Sequence, residues 1–294
     1  MMADRIQHRV LLLGANGLAG SAIATALSQD SSIDLTMTHR SGSFTVIPGV
    51  RQAPFSFGSD DIGTLLNECR PSVVVNAIGV TRQVIRLNGV SEDSAWSTNS
   101  SLPRELARLL EERGTRFLHL STDCVFDGSR GLYREEDELR PTDLYAATKA
   151  AGEAVNPDAT VIRTSFIGPH GSKTGLLAWF ASQPRHAVIE GYTDHTWNGV
   201  TTVALAELVR AWVVTEASFQ AIQHIYSWPP LTKFELLNHL RRRLGRTDIT
   251  INPRATGKPQ DLTLLSSHLS SLEAAWASIG YSKIPDIQTL IEHM

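Results

Sequence analysis

The sequence predicts a doubly wound α/β fold on a parallel sheet. Three observations carry that expectation. Short apolar runs alternate with helical stretches as far as about residue 168. The runs are apolar throughout rather than at every second position, as strands covered on both faces must be. A glycine-rich loop directly follows the first run and opens the first helix, the arrangement in which such folds cradle a phosphate.

In order, "RVLLLGA" (9–15) reads as a strand and "LAGSAIATALSQ" (18–29) as a helix. "IDLTMTHR" (33–40) is a second strand; "DDIGTLLNECR" (60–70) is a helix with acidic residues at its start and Pro71 beyond its end. "SVVVNAIG" (72–79) is a further buried strand, and "LPRELARLLEERG" (102–114) a helix with Pro103 near its start and Gly114 at its end. "RFLHLSTD" (116–123) and "TVIRTSFIG" (160–168) read as strands, with a helix from about Asp143 to Val155 between them. After Gly168 the rhythm loosens. Helices are expected at 201–214 and 233–245, a strand at 221–228, strand then loop at 247–262, and two short helical segments at the end. The chain therefore divides into 1–168, a dinucleotide-binding unit joined by the strand near 221–228, and 169–294, mainly a substrate lobe.

With 42% hydrophobic and 19% charged residues and a net charge of −3, the chain has an ordinary globular composition and no basic field for nucleic acid. Cys69 and Cys124 are the only cysteines, which suits a reducing compartment. The ten histidines are scattered, so no metal site is expected. The start "MMADRIQHRV" is charged where a secretion signal would be apolar, and no run is long enough to span a bilayer. A cytoplasmic protein with no membrane partner is expected.

In "LLLGANGLAGSAIATAL" the glycines stand at 14, 17 and 20, with Asn16 and Leu18 between them. Strand before and helix after make this loop a candidate pyrophosphate site, although the spacing is G-x-x-G-x-x-G. "MTHRSGS" follows the second strand, and offers Arg40 where NAD-specific sites place an acid for the ribose hydroxyls. A guanidinium there can pair with a 2′-phosphate, which points to NADP(H). A strand-end arginine can equally be just solvated, and the residue alone does not choose. "HLSTDCVFDG" (119–128) brings Thr122 to the carboxyl edge of the sheet, where its hydroxyl could donate to a substrate carbonyl or simply cap a turn. "LYAATKAAGEA" sets Tyr145 four residues before Lys149, on one helix face. An ammonium beside a phenol favours the phenolate and lowers its pKa from about 10, which would equip Tyr145 for proton transfer.

The order glycine loop, Arg40, "NAIG" (76–79), Thr122, Tyr145, Lys149 resembles the extended short-chain dehydrogenase/reductases, a Rossmann-type family, over nearly the whole chain. "STDCVFDG", Tyr133 with Glu135 and Glu136, "RPTDLYAATKAAGE", "IRTSFIG" and "KPQDLTLLSSHL" narrow the likeness to the dTDP-4-dehydrorhamnose reductase-like group of nucleotide-sugar reductases. The resemblance implies that Gly14, Gly17 and Gly20 hold the pyrophosphate and that Asn76, Ala77 and Ile78 line the nucleoside path. It further implies that Thr122 polarises the carbonyl, Tyr145 is the general acid, and Lys149 holds the nicotinamide ribose and lowers the Tyr145 pKa. The implied activity is NADPH-dependent reduction of a nucleotide-linked 4-keto-6-deoxy sugar. A homodimer is compatible with it.

The chain also departs from that group. Phe55 aligns with an Asp that many relatives place near the adenine; Trp197 and Asn198 interrupt the group's pattern in "GYTDHTWNGVT", and "HGSKTG" is altered. Sugar dehydratases of the superfamily read Thr-Asp-Glu where this chain reads Thr122-Asp123-Cys124, although Glu135 or Glu136 could supply a carboxylate from a loop. Epimerase, dehydratase and catalytically silent NADP-binding subunit stand as alternatives to the reductase.

Overall fold

The first apolar run forms β1 (His8–Leu13), and the glycine loop leads from it into α1 (Leu18–Ser28). β2 (Ile33–His39) and a short strand not expected from the sequence, β3 (Arg51–Pro54), extend the sheet on one side of β1. On the other side lie β4 (Val73–Asn76), β5 (Arg116–Leu120), β6 (Ala159–Arg163) and, from far along the chain, β11 (Ile222–His224). The computed structural model describes residues 7–40, 46–156, 158–169, 175–215 and 219–294.

The central sheet has seven strands in the order β11-β6-β5-β4-β1-β2-β3, with all pairings parallel. Its order reverses between β1 and β4, and ligands of doubly wound sheets sit at the carboxyl edge beside such a switch. The expected fold class is therefore the observed one. Successive β1 residues serve opposite layers. Val10 and Leu12 pack with α1 and the later α8 side, while Leu11 and Leu13 pack with Ile62, Leu66, Leu102 and Leu106 of the other layer. Such two-sided burial is why the strand reads as uniformly apolar.

The second layer comprises α2 (Ile62–Cys69), α3 (Arg82–Asn88), α4 (Glu92–Trp96), a π-helical turn at Ser97–Ser101, α5 (Leu102–Glu111) and α6 (Leu144–Gly152). Asp61 caps α2 by accepting from Gly63 N and Thr64 N. Beyond β6 the chain forms β7 (Phe166–Ile167), α7 (Leu176–Ala181), β8 (Val188–Tyr192), β9 (His195–Trp197) and β10 (Val200–Thr201). α8 (Thr202–Thr215) then packs along α1, so the second half of the chain supplies both a sheet strand and a flanking helix. The end of the chain holds β12 (Leu231–Thr232), α9 (Lys233–Arg243), β13 (Thr250–Arg254), β14 (Gln260–Asp261), α10 (Leu269–Ser278) and α11 (Ile287–Glu292). β9 lies between β12 and β14 in a small sheet beside the carboxyl edge region, which brings α9 in from the C-terminal half.

Among the described residues, no helix is long and apolar enough to cross a membrane, and no group of three or more His, Cys, Asp or Glu is placed to hold a metal.

Candidate active site

The three loop glycines have different reasons to be glycine. Gly14 has φ 84°, and a Cβ there would lie 2.8 Å from Ile78 N. A Cβ on Gly20 would lie 2.1 Å from the Gly14 carbonyl oxygen, so the helix can approach the loop only without one. At Gly17 the nearest atom to an added Cβ is 3.4 Å away, an ordinary contact. Packing within the protein does not require a bare Cα there. Gly17 is the N-cap of α1, the cap has no side-chain hydrogen bond, and the first turn has no acidic residue. An uncompensated helix N-terminus behind an exposed glycine fits the pyrophosphate of a dinucleotide. Asn16 is exposed and Leu18 half-buried at the same edge. Arg40 is exposed just past the end of β2, and residues 41–43 of "MTHRSGS" lie outside the described residues, as do 170–174 of "HGSKTG".

Of the 76–78 stretch, Ala77 and Ile78 are partly exposed, whereas Asn76 is fully enclosed. Its Oδ1 accepts from Ile78 N (3.1 Å) and its Nδ2 faces His119 Nδ1 (3.2 Å). The Asn76 side chain therefore shapes the turn that presents Ala77 and Ile78. Phe55 is buried in the second layer, among Leu13, Ile62 and their neighbours.

α6 is fixed by its N-cap Asp143, which accepts from Ala146 N (2.9 Å), and by close approach to the π-helical turn. Asn99 of that turn donates to Thr148 Oγ1 (3.0 Å), and a Cβ on Gly152 would lie 2.1 Å from the Asn99 carbonyl oxygen. Lys149 points inward. Its Nζ donates to the Leu120 carbonyl (2.6 Å) and lies 3.2 Å from His119 Nε2. Burial depresses its pKa to about 8, with Glu153 acting in the opposite direction. The buried His119 ring is held neutral by the same enclosure and by the neighbouring Lys149.

Tyr145 is enclosed beside Thr122, Asp123, Cys124 and Arg82, each of which acts on its phenol. Thr122 Oγ1 donates to Asp123 Oδ1 (3.0 Å) and accepts from Cys124 N (3.2 Å). The phenol pKa is raised, first by burial and then by Cys124 and Asp123; Thr122 and Arg82 oppose the rise. This corrects the expectation that Lys149 lowers it: in this structure the amine is engaged by Leu120 and His119, and burial dominates.

Two cations that the sequence did not mark flank the cluster. Arg82 of α3 pairs with Asp143 and stands 6.0 Å from the centre of the Tyr145 ring. Lys233, the first residue of α9, lies 4.7 Å from the centre of the Trp197 ring and acts electrostatically on Asp123 and Cys124. Burial drives the Cys124 thiol up to about 12, with Asp123 adding to the effect, so the thiol is neutral. Trp197 is fixed by donation from Nε1 to Ser165 Oγ (2.9 Å). Asn198 binds the Leu264 backbone through both Nδ2 and Oδ1 (2.8 and 2.9 Å) and is structural.

The loop carboxylates are occupied elsewhere. Glu135 accepts from His224 N, Ser266 Oγ and Ser267 N, and Glu136 accepts from Ser267 Oγ. The "VFDG" and Tyr133 motif is likewise internal: Tyr133 Oη donates to Asp127 Oδ1 (2.5 Å) and its ring stacks on Phe126.

The chain is similar to several known proteins. A dTDP-4-keto-6-deoxy-D-glucose reductase of Streptomyces niveus is 30% identical over 76% of this chain and 78% of its own. A probable low-salt glycan biosynthesis reductase of Haloferax volcanii is 32% identical, and that match spans 58% of each chain. Among solved structures, a dTDP-4-dehydrorhamnose reductase of Bacillus anthracis in complex with NADP superposes with a TM-score of 0.73 at 19% identity over 98% of both chains, a likeness of fold. The family model for the RmlD substrate binding domain matches residues 8–261, glycine loop and Thr122, Tyr145 and Lys149 included. With the sheet order and the site geometry in agreement with that match, the chain belongs to the RmlD substrate binding domain family.

Proposed function

We propose that the protein is an NADP-dependent reductase of a nucleotide-linked 4-keto-6-deoxy sugar, with Tyr145 as general acid. The observation that carries this reading is the gathering of Thr122, Tyr145 and Lys149 at the carboxyl edge of the sheet, with Thr122 following β5 and Lys149 one turn beyond Tyr145 on α6, its amine on the Leu120 carbonyl (2.6 Å). The printed activity of the Streptomyces niveus relative supports the substrate class, and the NADP in the Bacillus anthracis structure supports the cofactor. Residues 1–168 with β11 would hold the cofactor, and most of 169–294 would close over the sugar.

Bound NADPH would supply the hydride. On substrate binding Thr122 would turn its one hydroxyl hydrogen from Asp123 Oδ1 to the ketone oxygen and so orient the carbonyl towards Tyr145. As negative charge develops on that oxygen, Tyr145 would transfer its phenolic proton to it. A raised phenol pKa keeps that proton in place at neutral pH, and an alkoxide is basic enough to take it. Gly17 and the α1 N-terminus would bind the pyrophosphate, and Lys149 would donate to the nicotinamide ribose.

The same geometry weighs against dehydration. Elimination needs a base at position 124, where the thiol is neutral, and Glu135 and Glu136 are bound elsewhere. Incubation with dTDP-glucose, catalytic NADP+ and no reduced cofactor should yield no 4-keto-6-deoxy product; its appearance would mark the protein as a dehydratase.

Cofactor choice rests on Arg40. A charge-assisted contact with the 2′-phosphate is worth roughly 1.5–3 kcal/mol, so Arg40→Ala should weaken NADPH binding by about ten- to a hundredfold and leave NADH binding nearly unchanged. Fluorescence titration of both cofactors tests this. Equal affinity of the unaltered protein for NADH and NADPH would refute the assignment.

A further inference from the structure

The amino edge of the sheet lies opposite the edge that carries Thr122, Tyr145 and Lys149, and it holds a second concentration of charge. Arg9, Arg70 and Arg113 line one cleft of about 420 Å³, with Asn67, Leu66 and Pro71 among its walls. Among the described residues no carboxylate lines it. The three cations arrive from three elements. Arg9 is the second residue of β1, and strand alternation turns it to the same layer as Leu11 and Leu13. Arg70 is the C-cap of α2, and Arg113 follows the end of α5. From Arg9 to Gly14 the strand rises about 3.3 Å per residue, so the cleft stands roughly 16 Å from the glycine loop.

A plainer account would make these arginines partners of helix ends, because α2 and α5 both finish here and helix C-termini attract cations. Arg113 does serve that purpose. Its Nη1 donates to the Leu109 carbonyl (2.8 Å) and its Nη2 to Asn67 Oδ1 (3.2 Å). Arg9 and Arg70 do not. Among the described residues neither guanidinium has a hydrogen bond, and no ion pair includes Arg9, Arg70 or Arg113. Carboxylates are not scarce, since the chain has 30 acidic residues against 27 lysines and arginines. Arg70 is also held against its backbone preference. It has φ 44°, the left-handed cap position where glycine or asparagine is usual. Like charges lining one cleft repel each other, and an anion between them turns that repulsion into attraction.

We propose that Arg9, Arg70 and Arg113 form a binding site for a small diphosphate-class anion, separate from the glycine loop. Guanidinium forks match phosphate oxygens two at a time. A single phosphate group carries roughly −1.5 to −2, which leaves part of three cations unmatched; two linked phosphates match them more closely. The volume lies within the range of small-molecule sites, about 300–1,000 Å³. Arg113, already fixed by Leu109 and Asn67, is the preorganised side of the site, and the unbonded Arg9 and Arg70 close on the ligand. This site does not depend on the reductase reading.

The test measures binding of inorganic pyrophosphate and of ADP by calorimetry, in excess NADP+ so that the dinucleotide site is filled. It compares the unaltered protein, the double variant Arg9→Gln/Arg70→Gln, and the double variant Arg104→Gln/Arg108→Gln. The last makes the same change of charge on α5 outside the cleft. Pyrophosphate or ADP should bind the unaltered protein, and Arg9→Gln/Arg70→Gln should weaken that binding by about ten- to a hundredfold, the worth of a hydrogen bond between charged groups. Arg104→Gln/Arg108→Gln should change it less than about twofold. Tighter binding of ADP would assign the Leu66 and Pro71 walls to the organic part of a nucleoside diphosphate, and tighter binding of pyrophosphate would assign the site to the free anion; both uphold it. All four altered arginines are exposed, and unchanged NADP+ affinity will show the fold intact. Absence of binding, binding unchanged in Arg9→Gln/Arg70→Gln, or an equal loss in both double variants overturns the site.

Discussion

Tyr145→Phe should lower kcat by about two to four orders of magnitude, the range for a lost general acid. On the proposed reading the phenol hydroxyl is the group that protonates the ketone oxygen, and removing it leaves the ring and the helix packing in place. Cofactor affinity should change little, because Gly17 and Lys149, the proposed cofactor contacts, are untouched. Steady-state kinetics with NADPH and a nucleotide-linked 4-keto sugar, with the cofactor Kd measured in parallel, reads both quantities. Turnover within tenfold of the unaltered protein would remove Tyr145 from the role of acid.

The largest effect on stability should come from Arg163→Met. Arg163 in β6 and Glu153 after α6 form a bidentate pair with side chains only 5% and 4% exposed. Glu153 also accepts from Ser121, the neighbour of Thr122, and Arg163 donates to the Glu135 carbonyl (3.0 Å). Removing the guanidinium leaves a carboxylate enclosed without its counter-charge, a loss of about 3–5 kcal/mol. Urea unfolding should show the transition midpoint lowered at an unchanged slope. A loss below about 1 kcal/mol would mean that water or another donor reaches Glu153. The pair ties β6, α6 and the catalytic turn together, so the surviving folded fraction should also show weakened catalysis.

The glycine loop and the strand edges were legible because local chemistry dictates them. A tight turn, a close helix approach and an exposed phosphate site all demand glycine within a few residues, and a strand buried on both faces must be apolar throughout. β3 was missed because "RQAP" is short, polar and at the sheet edge, where neither apolar pattern applies. The stretch 160–168 read as one strand is two, broken at Thr164 and Ser165, where Ser165 receives the Trp197 indole hydrogen. The helical spacing of Tyr145 and Lys149 was sound, but spacing carries no information on burial, which reverses the expected direction of the phenol pKa. Arg82 and Lys233 were invisible for a different reason. α3 is too short to show a pattern, and Lys233 reaches the site only through pairing between strands far apart in sequence. The glycines, Thr122, Tyr145 and Lys149 share a superfamily spacing; Arg82 and Lys233, which flank them, are brought there by this chain's own long-range packing.

The most direct measurement of the central claim is the absorbance of NADPH incubated with the protein and dTDP-4-keto-6-deoxyglucose, against controls lacking either the sugar or the protein. The account predicts oxidation that requires both, slows by about two to four orders of magnitude in Tyr145→Phe, and yields a 6-deoxyhexose with a hydroxyl at C4. No sugar-dependent oxidation across a panel of nucleotide-linked 4-keto sugars, in protein shown to bind NADPH, would contradict it.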